Sequence, residues 1–171
     1  MERPQSTGRG GNGQVAVGDK TNETTAMLEL LAALVLHGKV ITGDALLTQH
    51  KIVGKIVEGG GDNLLVVKDN QPLLREDIHA VFEAPHLLDL TPAQRASERK
   101  IIEVSIHGNR IEERVLRAFT ALCDLYGDDL WPGLEQIMQI KRTTTNKQSG
   151  RTTSEIAYAI TSLSPNRATP A

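Results

Sequence analysis

Carboxylates, amides and cations set just beyond short apolar runs are where this sequence could do chemistry. Asp44 follows the run 39–42 after a single glycine. In open α/β sheets functional groups gather past the carboxyl ends of strands, and an Asp there can bind a divalent cation. The same position suits an Asp that caps a turn, and position alone favours that role. Asp19, after residues 14–17, has the same two readings. The segment Lys68-Asp69-Asn70-Gln71-Pro72 ends another apolar run and opens a helix, so its ammonium and amides suit phosphate contact. Asn and Asp are also ordinary turn residues, and taken alone the segment reads as a turn.

A further group, His107-Gly108-Asn109-Arg110-Ile111-Glu112, brings together a His, an Arg and a Glu. They could act in catalysis, or they could be solvated charges at a hairpin turn. Lys141, Arg142, Lys147 and Arg151 form a candidate DNA contact, with a solvated hairpin tip as the competing reading. No HExxH, CxxC or GxxxxGK[ST] pattern is present. Gly59-Gly60-Gly61 follows a helix rather than a strand, which argues against a phosphate-cradling loop.

The elements that position these residues follow from apolar spacing. Residues 14–17, 39–42 and 63–68 are expected strands, with Val40 and Ile41 buried. Helices are expected over 23–36, 48–58 and from Pro72 onward. The first carries Ala26, Leu30, Ala33 and Leu34 at helical spacing, and the third turns Leu74, Ile78, Val81 and Phe82 inward. Continuous apolar strands alternating with amphipathic helices indicate a parallel sheet covered on both faces. After Pro85 the pattern changes to two hairpins, 99–106 with 110–119 and 135–143 with 152–160. A turn near Trp131-Pro132-Gly133-Leu134 lies between them.

Composition narrows the function classes. With 39% hydrophobic and 23% charged residues a packed core is expected. Aromatics at 3% argue against nucleic-acid binding by base stacking. A net charge of -2 argues mildly against a dedicated DNA-binding module and leaves room for a local basic patch. The single cysteine, Cys123, excludes an intrachain disulfide and a zinc site built on cysteines. No apolar run has the length of a membrane span, and the polar segment 1–12 lacks a signal-type apolar core, so a cytoplasmic protein is expected.

Several stretches, in order, resemble the H-repeat-associated insertion-sequence transposases, a branch of the DDE transposases with an RNase H-like core. They are Val15-Ala-Val-Gly-Asp-Lys-Thr-Asn-Glu23, Val40-Ile-Thr-Gly-Asp-Ala-Leu-Leu-Thr-Gln49 and Gly61-Asp-Asn-Leu-Leu-Val-Val-Lys-Asp-Asn-Gln-Pro72, then His107-Gly-Asn-Arg-Ile-Glu-Glu-Arg114, Trp131-Pro-Gly-Leu134 and Ala157-Tyr-Ala-Ile-Thr-Ser-Leu163. The resemblance covers roughly residues 13 to 163. It implies an α/β fold: an incomplete RNase H-like core at 13–84 and a β-rich insertion at 85–163; the Gly- and Pro-bearing segment 1–12 and the aperiodic segment 164–171 with its two prolines read as disordered tails. It also implies DNA cleavage and strand transfer, with three carboxylates holding Mg²⁺ or Mn²⁺. Asp44 takes the place of the second catalytic, metal-binding Asp. Lys68, Asn70, Gln71 and Arg110 become candidate DNA contacts.

The family's first Asp is expected upstream of Met1 and its Glu beyond Ala171, since Trp131 is the sole Trp and does not fit the Glu motif. One carboxylate does not hold two hydrated ions, so the chain is expected to be inactive alone and of low stability. Implied partners are transposon-end DNA and a full-length transposase; a non-enzymatic DNA-binding or inhibitory remnant is the alternative. An unrelated Rossmann-type or flavodoxin-like protein ranks last, because no Gly-rich fingerprint follows the first strand.

Overall fold

The computed structural model describes residues 23–83, 91–120 and 131–167. The expected strand 14–17, Asp19, Cys123 and the tail 1–12 lie outside the described residues. Within them the helices are α1 (Glu23–Ala33), α2 (His50–Glu58), α3 (Pro72–Glu83) and a short α4 (Pro92–Ala96). The strands are β1 (Val40–Gly43), β2 (Asp62–Val67), β3 (Arg99–His107), β4 (Arg110–Phe119), β5 (Gln136–Asn146) and β6 (Thr152–Thr161).

The six strands form one sheet in the order β1-β2-β6-β5-β4-β3. β1 and β2 are parallel, joined through α2, as the strand–helix alternation requires. Every other pairing is antiparallel. The described core strands are parallel and the hairpin strands antiparallel, as expected, but both belong to one mixed sheet rather than to a parallel core with a separate insertion. The hairpin region extends the same hydrogen-bonded surface through β6 on β2, where Leu65 faces Ile160 and Val67 faces Tyr158. Strand alternation cannot disclose such a long-range pairing, because either partner would satisfy the same apolar face.

One face of the sheet carries the main core. Leu65, Ile160, Ile137 and Phe119 lie in register across four strands and meet Ile78 and Phe82 of α3 and Val53 of α2. The inward set of α3, Leu74, Ile78, Val81 and Phe82, is the expected one. α1 packs against α2 through Leu31, Ile52 and Ile56. Of its expected stripe Ala26 is buried and Leu30 half-buried, whereas Ala33 and Leu34 are exposed and Leu31 is buried instead. The helix ends at Ala33, and the following turn buries Leu36 instead. Val40, expected to be buried, is exposed because β1 is an edge strand among the described residues.

The other face bears a smaller cluster of Ala118, Met138 and Ala159. Residues 163–167 run along it. The Gln136 amide donates to Leu163 O at 2.7 Å, and Arg99 donates to Pro165 O at 2.7 Å. Arg167 pairs with Asp62 at 2.6 Å. Residues 164–167, expected as a loose tail, are thus tied to the sheet at several points.

Candidate functional site: the carboxyl ends of the parallel strands

Because β1 and β2 are parallel neighbours, the loops that leave them lie side by side. Asp44 directly follows Gly43, the last residue of β1, and Lys68 directly follows Val67 of β2. Their side chains meet, with Lys68 Nζ 2.8 Å from Asp44 Oδ1. The same Oδ1 accepts the backbone N–H of Ala45 at 2.7 Å, which caps the one-turn 3₁₀ helix Ala45–Leu47. The capping role and the strand-end position expected for Asp44 therefore coexist. Asp44 Oδ2 has no partner among the described residues. The Lys68 ammonium, followed by the Ala45 N–H, holds the Asp44 carboxyl below its ordinary range.

The loop geometry depends on close packing. A Cβ on Gly43 would collide with the side chain of Leu47. Glycine here lets the 3₁₀ turn fold back on the end of β1 and set the direction of Asp44. Thr48, fully buried, donates to Val66 O at 2.6 Å and ties the loop to β2. Asn70 donates to Ala45 O at 2.7 Å, and Gln71 donates to Thr48 O at 2.9 Å. The two amides expected to touch DNA thus hold the Asp44 loop against the end of β2. Thr48 escaped the sequence reading, since a lone Thr after a strand gives no signal of burial. Beside the corner, α1 and the 3₁₀ turn border an apolar cleft of about 710 Å³, with Glu23 and Asp44 on its rim.

Arg110 is not part of this corner. It opens β4 opposite His107 and Asn146. Val67 sits beside Tyr158, and β6 begins at Thr152, six residues farther along. At about 3.3 Å per residue the β3–β6 strands overhang the parallel strands by about 20 Å. Arg110 lies at the tip of that arm. Glu112, on the arm, is buried and joins Arg142 at 2.7 Å and Arg114 at 2.5 Å. The contact with Arg142 leads in keeping its carboxyl below the ordinary range. Arg142, expected as a free cation beside Lys141, is therefore shared with a carboxylate, while Lys141 projects from the opposite face of β5. The His107–Glu112 segment forms the turn expected of it, with Gly108 at φ 55.

The residues at the corner do not by themselves make a two-ion centre. No group of three or more His, Cys, Asp or Glu side chains converges among the described residues. Asp44 supplies one carboxylate, and Lys68 already neutralises it. Further ligands would have to come from outside these residues.

A chain with a mixed α/β sheet and a carboxylate at the end of a parallel strand is compatible with many activities, and relatives narrow them. It is 41% identical over 75 residues to the "H repeat-associated putative transposase YhhI" of Escherichia coli K12, covering 44% of this chain and 20% of that protein. It is 34% identical over 128 residues to the "Putative transposase YncI" of Escherichia coli O157:H7, covering 73% of this chain and 31% of that one. A protein of Xanthobacter autotrophicus described as "Uncharacterized protein in dhlA 3'region" is 30% identical over 149 residues, 87% of this chain and 48% of its own length. The chain is thus a relative of the H repeat-associated transposases, as the motifs indicated, and spans about half or less of the length of these relatives. No family model matches it, and no solved structure matches it. No described helix is long and apolar enough to cross a membrane.

Proposed function

We propose that this chain serves DNA transposition as an incomplete strand-transfer unit of the DDE, RNase H-like kind. Asp44 is its one metal-binding catalytic carboxylate, Lys68 is a phosphate contact, and Asn70 and Gln71 position the Asp44 loop. The observation that carries this reading is the corner itself. Two parallel strands in a relative of named transposases deliver Asp44 and Lys68 to one place, and Asp44 Oδ2 has no partner there among the described residues. In the parent chemistry Mg²⁺ or Mn²⁺ would activate the attacking oxygen and stabilise the leaving one. No step of that kind follows from one carboxylate paired with an ammonium.

The chain alone is therefore expected not to nick supercoiled plasmid in the presence of Mn²⁺. Nicking by wild-type protein that disappears in Asp44→Ala would contradict the incompleteness and show a complete centre. The second reading is a non-enzymatic DNA-binding or transposase-inhibiting protein, favoured by the neutralised state of Asp44. Under it, Asp44→Ala would leave inhibition of a full-length transposase intact.

A further inference from the structure

The arm that overhangs the corner ends in a basic tip, although the chain carries a net charge of -2. Residues 106–111 and 145–152, beyond the level of Glu112, make up that tip. They include Arg110, Lys147 and Arg151 and no Asp or Glu. The antiparallel register joins the two turns there: Arg110 lies opposite Asn146, and Lys147 N–H donates to Asn109 O at 2.8 Å. Just behind the tip, on one face of the sheet, is a cleft of about 220 Å³ lined by Arg110, Arg142, Thr144, Thr153 and Glu155.

Register explains the cleft. Thr144 and Thr153 are directly opposed, as are Arg142 and Glu155, and Arg110 stands diagonally across from Thr144. These residues share the face because each is an even number of positions from its neighbour on the strand. The shared Glu112 carboxylate fixes Arg142 at 2.7 Å, so its guanidinium is held in place at the cleft before any ligand arrives. Arg110 makes no ion pair among the described residues and is exposed. The Thr144 and Thr153 hydroxyls likewise have no partner among the described residues. Two guanidinium groups and two hydroxyls converge there against two carboxylates: Glu155 in the cleft lining, and Glu112, which stands opposite Thr144 and already pairs with Arg142. That is the donor set of a tetrahedral oxyanion, and its guanidiniums suit bidentate contact.

We infer that the Arg110–Arg142–Thr144–Thr153 cleft seats a phosphate oxyanion, supplied by a nucleic-acid backbone, with Glu155 limiting its affinity. The nucleic-acid source rests on the transposition reading above; the oxyanion chemistry does not. Val67 stands opposite Tyr158, so Glu155 and Thr153 lie about 7 and 13 Å beyond the level of Lys68 along the strands, and the seat uses neither Asp44 nor a metal ion.

The test is fluorescence anisotropy of a labelled 16-base-pair duplex in EDTA across a salt series, using the whole chain. Arg110→Ala is expected to weaken binding about tenfold and to reduce the log K against log salt slope by about one. Glu155→Gln is expected to tighten binding severalfold, an increase that a merely structural role would not produce. Asp44→Ala is expected to stay within about twofold of wild type. Failure of the Asp44 reading therefore leaves this result untouched. Inorganic phosphate, followed by amide shifts at Thr144 and Thr153, separates the sources. Shifts at millimolar phosphate without duplex binding assign the seat to a free anion and overturn the nucleic-acid source. Wild-type affinity in both Arg110→Ala and Glu155→Gln, or no binding of either probe, overturns the seat.

Discussion

Two groups claim the Asp44 carboxylate, the Ala45 N–H and the Lys68 ammonium, both at Oδ1. Both charged partners are largely exposed, so their pairing contributes little to folding. Its consequence is electrostatic. With its folded value depressed, any stability from the pair is present above the ordinary carboxylate range and is lost as pH falls through the lowered value. Lys68→Ala removes the largest cause. In a carboxyl-detected NMR titration, the Asp44 midpoint is expected to rise toward the ordinary Asp value in that variant and to leave the global fold unchanged. An unmoved midpoint would mean that Lys68 does not control the state of Asp44. The position of Asp44 past a strand was legible from an apolar run followed by Gly-Asp. Its ion pair was not, because Lys68 is 24 positions away and only the parallel pairing brings it near.

Among the elements, β2 has the most at stake. It pairs in parallel with β1 on one side and antiparallel with β6 on the other. Its run 62–67 is half-buried in strict alternation rather than buried on both faces, so only Asn63, Leu65 and Val67 reach the helices. Leu65→Ala removes a fully buried side chain from between α2, α3 and β6. Its cost is expected at about 2–5 kcal/mol, read as a lower denaturant midpoint. A change below 1 kcal/mol would contradict the central place given to β2. The existence and type of nearly every described element could be read from spacing, since α3 and both hairpins follow clear periodicities. The single mixed sheet could not. The apolar faces of β2 and β6 each ask for a neighbour, and no local signal says that they choose each other. For the same reason the oxyanion cleft was half visible. Arg110 and Arg142 stood out as cations, but Thr144, Thr153 and Glu155 join them only through register.

At the scale of the molecule, the sheet has two strands with one unpaired edge among the described residues, β1 and β3. β3 is the longer, and it exposes Ile102, Val104 and Ile106 on one face. Ile156 is exposed on the same face of the arm. A long apolar edge is a template for pairing with another chain. Val104 stands opposite Glu113, so Val104→Lys adds a cross-strand charge pair while interrupting the apolar edge. Concentration-dependent association in light scattering is expected to fall in this variant without loss of thermal stability. Equal association in both proteins would show that the edge is not its source.

The molecule thus separates two positively charged features, Lys68 at the strand-end corner and the basic arm tip. Asp44 lies with the first. We propose that Asp44, held by Lys68, binds a divalent cation with no second carboxylate from the described residues beside it. Calorimetry with Mn²⁺ on the wild type, Asp44→Ala and Lys68→Ala tests it most directly. Weak binding is expected, on the order of millimolar as suits a site with few charged ligands. It should be lost in Asp44→Ala and strengthened in Lys68→Ala, where the competing ammonium is gone. Binding that is indifferent to Asp44, or weakened by removing Lys68, would contradict it.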